Sequence, residues 1–494
     1  MSPRNLVDKS VTNIFWSYLS FFSTKALNLI AIIIVARYLS PAEFGLMAFG
    51  LVVIGYFELV QGFGLGAYLI STRHALQEAA EAVFGFAVTV SAAMLAAIWV
   101  SADMIAGYFG QPDLADILQF LSVALLIESF AAVHSALLQR ELKFRLKIMP
   151  DVARGLVKGF LSIGLAVAGY GVWALAWGYV IGTLAWTLTL IMVRPWRPRS
   201  LPKLSVLWPA LRYGSNILLG GLCNAVPRTL DSLMVGKVLG AEALGLYSVS
   251  LRMPQLAIKT FGIEASKVVH PVISEMQGAT TAVRGYYYGL VRYLALLMFP
   301  LGAALAAMTE PLIRLLYTPE WLGVVAPMQI LSIAFALSTI NMLPGTLYKA
   351  INRSDYFLLT SAIGVPAFVA VMWVAVPLGV EAVALGHAVL VFLNYVPNFL
   401  ILRRAVGVEA WPTIRATLPG LACAVAAGLV GLGAQQFAPG WVLGKLLLAG
   451  AGALAAYLIM LRLLAPEIFT EMRRLIGRKI KKGRRPPAAR EPAE

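Results

Sequence analysis

The sequence is poor in charge, in cysteine and in histidine, and each shortage excludes a class of protein. Only 13% of the 494 residues are charged, about half the share found in typical soluble domains. Both cysteines, Cys223 and Cys423, lie in apolar runs, where a thiol usually packs as a small apolar group. The four histidines are scattered along the chain. These shortages argue against a soluble enzyme, a disulfide framework, a metal site or a bound cofactor.

The chain is instead rich in long hydrophobic runs. Hydrophobic residues make up 60% of it, and its mean hydropathy is +0.79. Because a helix needs about 20 apolar residues to cross the hydrocarbon core, the sequence predicts an all-α polytopic membrane protein with about 14 transmembrane helices. The first run is too long for the core of a signal peptide, so we expect it to remain as a span. The predicted spans cover residues 14–36, 44–70, 83–106, 115–137, 151–170, 172–193, 209–236, 243–270, 286–308, 322–348, 356–377, 380–402, 413–435 and 441–464.

The excess of 40 basic over 24 acidic residues is concentrated in alternate connections between the apolar runs. The positive-inside rule places such basic connections in the cytoplasm. The short connections on the opposite side hold only Arg37, Lys237 and Arg314. We therefore predict that both termini are cytoplasmic, and we disfavour nucleic-acid binding as the reason for the positive charge.

Two short stretches repeat at the same offset of six predicted spans. Residues 37–46 (RYLSPAEFGL) align without gaps on residues 237–246 (KVLGAEALGL), and residues 119–124 (QFLSVA) align on 329–334 (QILSIA). An even offset predicts two parallel six-helix repeats, related by an axis along the membrane normal. Chance similarity between apolar helices is the alternative, and the shared offset argues against it. The predicted domains are an N-terminal lobe (1–200), a C-terminal lobe (201–405), two additional helices (406–465) and a basic cytoplasmic tail (466–494).

The first of these stretches, residues 37–46, forms a corner between two predicted spans and also carries a helix-start signal. Ser40 and Glu43 have the spacing of a capping box, with Pro41 at the first helical position. This pattern predicts that the second span begins sharply after Ser40, as a structural feature.

The repeated halves, the ARYLSPAEFGL corner and the LLYTPEW…MQILS stretch from Leu315 to Ser332 resemble the Wzx-type polysaccharide-transport flippases. These belong to the superfamily of multidrug, oligosaccharidyl-lipid and polysaccharide exporters. The resemblance implies a V-shaped transporter of the bacterial inner membrane, whose two lobes open a central cavity alternately to each face. The implied substrate is a polyprenyl-pyrophosphate-linked oligosaccharide, moved to the periplasmic leaflet for lipopolysaccharide or exopolysaccharide synthesis. H+ and Na+ are the candidate coupling ions, and the oligomeric state stays open.

Two other functions are weighed against this one. An ion-coupled multidrug exporter of the same superfamily would need carboxylates for cationic drugs, whereas this chain has many cations at membrane depth. A membrane polysaccharide polymerase or ligase would need a large extramembrane site. The predicted outer connections are short, and no acidic cluster suited to sugar transfer is present. We therefore expect a transporter and not an enzyme.

Charged residues inside spans are costly and normally face the bundle interior or a water-filled cavity. Lys and Arg suit phosphate oxygens, so the cations within spans are the candidates for holding a pyrophosphate. The predicted substrate-binding residues are Lys25, Asn28, Arg228, Asp231, Arg252 and Lys259. Glu58 and Glu128 also fall at membrane depth. The alternative is structural, because Lys25 could pair with Glu58, and Arg228 with Asp231.

The tail after Glu467 combines apolar residues on one helical face with many Lys and Arg residues. This pattern predicts an amphipathic helix on the anionic lipids of the cytoplasmic leaflet. A solvated basic tail that enforces topology is the alternative.

Overall fold

The computed structural model describes residues 28–72, 76–141, 143–200, 202–438 and 440–470, and these residues are helical apart from short connections. No strand occurs in these ranges, so the all-α prediction is confirmed for them. Ten of the described helices are long and apolar enough to cross a membrane. An eleventh span results if the bent pair Leu114–Ser129 and Ala132–Arg140 counts as one.

The predicted number of about fourteen spans stays a prediction, for three physical reasons. The first predicted span begins outside the described residues. The fifth falls in the helix Phe144–Val167, which carries several charges and is not among the ten. The seventh and the first part of the eighth lie in one continuous helical element, Leu204–Pro254, interrupted where Gly240 leaves the helical conformation with φ 88°.

The chain forms two compact units. Unit 1 takes the described residues of Met1–Val249 together with Leu316–Trp321 and Met372–Val380, and unit 2 takes the remainder. The helices of unit 1 are α1 (Pro41–Gly62), α2 (Leu65–Ser71), α3 (Leu76–Phe109), α4 (Leu114–Ser129), α5 (Ala132–Arg140), α6 (Phe144–Val167), α7 (Val172–Val193) and most of α8 (Leu204–Pro254). Those wholly or mainly in unit 2 are α9 (Thr260–Glu275), α10 (Thr280–Leu316), α11 (Val325–Ser338), α12 (Met342–Ala350), α13 (Ser354–Ala375), α14 (Val380–Val406), α15 (Ala410–Ala434) and α16 (Val442–Leu464).

The predicted capping box is present at the start of α1. The Ser40 backbone N–H donates to Glu43 Oε2 at 2.7 Å, and the Glu43 N–H donates to Ser40 Oγ at 3.4 Å. Two N–H groups that would otherwise lack a partner at the helix start are thereby satisfied. The sharp start of α1 after Ser40 is confirmed.

The two aligned corners pack against each other inside unit 1, and they do so reciprocally. A Cβ atom on Gly45 would overlap the carbonyl oxygen of Ala241, and a Cβ atom on Gly245 would overlap the carbonyl oxygen of Pro41. Gly45 aligns with Gly245, and Pro41 aligns with Ala241, so equivalent glycines lie against equivalent carbonyls. Only glycine leaves room for this approach of backbone to backbone.

The aligned cations at these corners also make matching contacts. Arg37 Nε donates to the carbonyl oxygen of Leu316, the last residue of α10, at 3.0 Å. Lys237 Nζ donates to the carbonyl oxygen of Tyr108, close to the end of α3. Each cation therefore lies at the negative end of a long helix from the other half of the predicted repeat, where positive charge is favourable. We refer to Arg37, Gly45, Lys237 and Gly245, with the carbonyls they contact, as the corner clasp.

Trp321 ties the short segment Leu316–Trp321 to the first corner. Its side chain is fully buried, and its Nε1 donates to the carbonyl oxygen of Ala36 at 2.9 Å. Its ring meets the Phe44 ring edge-on, with 5.1 Å between centroids. This contact closes the apolar side of the clasp.

The start of the predicted tail is held by unit 2. Ile468 and Phe469 pack against a buried cluster that includes Leu296, Leu461 and Cys423. Cys423 is a free thiol with no exposed surface, consistent with a packing role. Residues 471–494 lie outside the described residues, so the surface helix stays a prediction.

From the corner clasp we expect that adding one methyl group destabilises the protein at Gly45 but not at Gly55. Gly45→Ala should lower the free energy of unfolding by about 1–3 kcal/mol, because the new Cβ meets a backbone carbonyl that cannot turn aside. Gly55→Ala in the same helix is the control, since a Cβ there meets nothing within 4 Å. Removing a helical glycine at Gly55 should be neutral or stabilising by up to about 1 kcal/mol. Thermal unfolding in detergent measures both, and equal melting temperatures would contradict the clasp.

Candidate functional site

A cluster of charged and polar side chains lies among four helices of unit 1. Glu58 comes from α1, Glu128 from α4, Arg154 from α6 and Tyr179 from α7. The Tyr179 hydroxyl donates to Glu58 Oε1 at 2.5 Å, and Arg154 Nη1 lies 3.7 Å from Glu128 Oε1. Arg154 Nη2 also donates to Thr183 Oγ1 at 3.1 Å. We call these five residues, together with Lys158, the polar cluster.

Aromatic rings surround the cations of the polar cluster. The Arg154 guanidinium lies 5.5 Å from the centroid of Tyr179 and 5.8 Å from that of Trp186. Lys158 Nζ lies 5.4 Å from the Tyr179 centroid. These are distances at which a ring face attracts a cation. The Trp186 indole is itself held by a hydrogen bond from its Nε1 to Asp151 Oδ1 at 3.1 Å.

The cluster combines two carboxylates with two cations, so it is balanced when all four are ionised. The side chains of Arg154 and Glu128 are 29% and 26% exposed, which makes both partly buried. Isolated charges are very costly in such surroundings, whereas paired and hydrogen-bonded charges are tolerated. The arrangement can therefore present a guanidinium and an ammonium to an anion while each of these charges is balanced by a carboxylate of the cluster.

Two glycines in α7 bring the cations to this place. A Cβ atom on Gly178 would overlap the Ser162 hydroxyl, and a Cβ atom on Gly182 would lie 2.9 Å from the Cβ atom of Lys158. Close helix packing at small residues is the usual solution in membranes. Arg154 and Lys158 are four residues apart and therefore share a face of α6. The glycines let this face lie directly against α7.

The sequence-predicted set did not include Arg154 and Lys158. The available signal was the pair of cations, four residues apart, inside the apolar run 151–170. That run carries more charge than a typical transmembrane span. Its charges were therefore interpreted as evidence against a span and not as a binding site. Glu58 and Glu128, which were predicted at membrane depth, are brought together with Arg154 by the fold.

Several predicted site residues fall where the structure describes little or nothing. Lys25 lies outside the described residues, so its pairing with Glu58 stays a prediction. Asn28 is partly buried and is the first described residue. Arg228 lies in α8, but its side chain is outside what the structure describes.

Asp231 is a buried acceptor within unit 1. Its carboxylate accepts hydrogen bonds from the Tyr247 hydroxyl and from the Ser232 backbone N–H, both at 2.7 Å. The side chain of Asp231 is only 5% exposed, and Tyr247 is fully buried. The Tyr247 contact gives Asp231 a structural partner on the far side of the Gly240 corner.

Arg252 and Lys259 belong to unit 2. Lys259 closes a π-helical turn, Gln255–Lys259, that directly follows Pro254, and its Nζ lies 5.2 Å from the Phe335 centroid. Single π-helical turns are frequent at functional sites because they re-aim side chains. Across the described ranges no three His, Cys, Asp or Glu side chains come together as a metal site.

Comparison with known proteins gives relatives of one kind. The family described as "Polysaccharide biosynthesis protein" matches residues 34–326. The chain is 23% identical over 444 residues to the lipopolysaccharide biosynthesis protein WzxC of Escherichia coli (strain K12), covering 86% of this chain and 89% of that protein. It is 24% identical over 314 residues to the succinoglycan biosynthesis transport protein ExoT of Rhizobium meliloti (strain 1021), covering 63% and 64%.

The fold is that of two groups of solved transporters. The lipid II flippase MurJ, in an inward closed conformation, aligns with a TM-score of 0.72 at 14% identity, covering 92% of this chain and 99% of that one. An inward-facing multidrug resistance transporter of the MATE family aligns with a TM-score of 0.60 at 16% identity, covering 77% and 94%. The family match spans more than half of the sequence, and the chain therefore belongs to the polysaccharide biosynthesis protein family, in agreement with its resemblance to the Wzx-type flippases.

Proposed function

We propose that this protein is a flippase that moves polyprenyl-pyrophosphate-linked oligosaccharide repeat units from the cytoplasmic to the periplasmic leaflet by alternating access. The family match and the names of the relatives support a role in polysaccharide export. The shared fold with a lipid II flippase supports a lipid-linked substrate. The observation that carries the proposal is the polar cluster, in which two cations, Arg154 and Lys158, lie among four helices of unit 1.

The polar cluster suits a phosphate that has to be bound and then released. Arg offers a planar fork of donors to phosphate oxygens, and Lys offers a point charge. Glu128 lies beside Arg154, so a phosphate bound by Arg154 must displace this carboxylate or share the guanidinium with it. That competition keeps binding weak enough for release. We add Arg154 and Lys158 to the predicted substrate-binding residues Lys25, Asn28, Arg228, Asp231, Arg252 and Lys259.

The membrane potential favours this direction of transport. A pyrophosphate carries at least two negative charges, and the cytoplasm is electrically negative. Outward movement of two charges is favoured by about 4–5 kcal/mol per 100 mV. Inward movement of H+ or Na+ would add to this term, whereas cations that travel outward with the pyrophosphate would cancel it.

The proposal includes about fourteen spans, cytoplasmic termini and two parallel repeats bounded as the sequence predicts. The corner clasp supports the repeat, because residues that align in sequence make matching contacts. In this orientation Arg37 and Lys237 lie in outer connections, so the clasp closes the periplasmic face. It has to part when the transporter opens outward.

A drug exporter of the same fold is the second candidate, since a multidrug transporter shares the architecture. The polar cluster holds Glu58 and Glu128 as well as Arg154 and Lys158, so its charge alone does not separate the two functions. The family match and the names of the relatives favour the flippase. Measuring drug resistance alongside glycan export in the variants below separates the two functions.

The first prediction concerns the sequence-predicted cations. Arg228→Ala and Lys259→Ala should each abolish or sharply reduce glycan export in a complemented deletion strain, at unchanged protein level. Arg228→Lys should keep part of the activity, because the charge survives while the bidentate fork is lost. If Arg228 only neutralises Asp231, the double variant Arg228→Ala/Asp231→Asn would recover export, and Arg228 would then belong to the scaffold.

The second prediction concerns Arg154. Arg154→Gln should reduce export about tenfold or more, which corresponds to losing one charge-assisted contact of about 1.4 kcal/mol. Arg314→Gln is the matched control, since Arg314 pairs with Glu310 four residues away on the surface. Export by Arg154→Gln/Glu128→Gln distinguishes the roles. Full recovery in this double variant would mean that Arg154 serves only to balance Glu128.

The third prediction concerns opening of the clasp. In a variant lacking Cys223 and Cys423, a cysteine at buried Ala241 should react slowly with an impermeant thiol reagent added from the periplasm. Adding Arg37→Gln and Lys237→Gln should accelerate this reaction, because the contacts of these two cations with the ends of α10 and α3 are lost. A cysteine at Val238, which is 54% exposed, should react quickly in either background. Equal rates at Ala241 with and without the two cations would show that they do not hold the periplasmic face closed.

A further inference from the structure

A second candidate binding site lies in unit 2, at one end of three helices. It is a cavity of about 740 Å³ between the first part of α10, the first part of α15 and the end of α16. This volume is within the range of small-molecule and cofactor pockets. The residues that matter for its chemistry are Tyr288, Arg292, Pro412, Arg415, Pro419 and Leu464.

A ladder of contacts along one face of α10 fixes the cavity. Arg284 Nη1 donates to the carbonyl oxygen of Gly407 at 3.3 Å, and the Tyr288 hydroxyl accepts the Glu409 N–H at 2.8 Å. Arg292 Nη1 lies 4.0 Å from Glu467 Oε2. Residues 284, 288 and 292 are spaced by four and therefore follow one face of the helix. This face is attached to the connection before α15 and to the segment after α16, and the cavity opens between the two.

Close backbone packing brings the two arginines into the same cavity. A Cβ atom on Gly420 would lie 2.5 Å from the carbonyl carbon and oxygen of Ala295, so α10 and α15 are in contact at this level. Arg292 precedes Ala295 by one helical turn, and Arg415 precedes Gly420 by little more than one turn. Both side chains line the cavity as a result.

The charge of the cavity is positive and weakly neutralised. Arg415 is exposed and has no ion pair among the residues that the structure describes. Among the described residues, the one ion pair of Arg292 is the 4.0 Å contact to Glu467, whose side chain is 84% exposed. α15 begins at Ala410 without a side-chain cap from Glu409, so the free N–H groups and the positive end of the helix dipole are at this end too.

The remaining walls are apolar, formed by proline, leucine and alanine side chains. A free phosphate ion makes no favourable contact with apolar walls, whereas a phospholipid has both a phosphate and a hydrocarbon part. Basic pockets between helices at the cytoplasmic surface are suited to anionic lipid headgroups. We propose that this cavity binds the phosphate of an anionic phospholipid, with the two guanidiniums on the phosphate and the glycerol and first acyl carbons against the apolar wall.

The consequence is a lipid that fastens two helices to each other, because a phosphate held by Arg292 and Arg415 would join α10 to α15. The site belongs to unit 2, whereas the polar cluster belongs to unit 1. It does not depend on which substrate the protein transports.

The test uses the purified full-length protein in a non-ionic detergent. Phosphatidylglycerol should raise the melting temperature, and native mass spectrometry should show a retained lipid molecule. Arg415→Gln and Arg292→Gln/Arg415→Gln should weaken this binding, the double variant by about tenfold, which is the loss expected from about 1.4 kcal/mol. Arg404→Gln is the matched control, because Arg404 is an exposed arginine at the end of α14 and does not line the cavity.

Each outcome decides between lipid and other anions. Equal stabilisation by phosphatidylcholine, or equal weakening in Arg404→Gln, would overturn the proposal, because binding would then be unspecific. Inorganic phosphate that displaces the lipid and gives the same stabilisation would assign the cavity to a soluble anion and overturn it too. If the double variant does not fold, Arg415→Gln alone keeps the test valid, since Arg415 contributes no described ion pair to the fold. Unchanged lipid binding by that single variant would refute a role for Arg415.

Discussion

Close approach of helix backbones at glycine is the contact on which the rest of this structure depends. In hydrocarbon there is little hydrophobic gain from bringing two apolar helices together, so association relies on tight packing and on hydrogen bonds. Gly45 and Gly245 lie against carbonyls at the two corners, Gly182 lies against α6, and Gly420 lies against α10. At each place the absence of a side chain lets two segments of the chain approach closely, and this brings their polar groups within contact distance.

Polar contacts follow from these approaches. Once α6 and α7 touch, Arg154 reaches Thr183 and the ring of Tyr179, and Tyr179 reaches Glu58. Once α10 and α15 touch, Arg292 and Arg415 share a cavity. The two sites differ in their balance of charge. The polar cluster contains its own carboxylates, whereas Arg415 in the cavity of unit 2 has no ion pair among the residues that the structure describes.

The corner clasp adds a second principle, the capping of one half of the predicted repeat by the other. Arg37 and Lys237 lie at matching sequence positions and neutralise the ends of α10 and α3. These contacts are hydrogen bonds from long flexible side chains to exposed helix ends, so they can be broken and remade without disturbing the helices. The glycine contacts beside them have no such tolerance.

Local and one-dimensional signals were enough for much of this protein. Hydropathy predicted an all-α membrane protein, and the spacing of Ser40 and Glu43 predicted a helix start. The resemblance of a few short stretches to the Wzx-type flippases indicated the family. Each of these properties depends on short stretches of chain. The signals were insufficient for the polar cluster, because in sequence Arg154 and Lys158 are only two charges that make a span less apolar. Their partners, the aromatic rings and the Thr183 hydroxyl, come from α7 and are brought to them by the fold. They were also insufficient for Asp231, whose partner Tyr247 lies beyond the Gly240 corner. Composition and periodicity by themselves determined which segments are helical and apolar. The tertiary structure decided which charges meet, because that depends on helix-to-helix distances set by single glycines far apart in the chain.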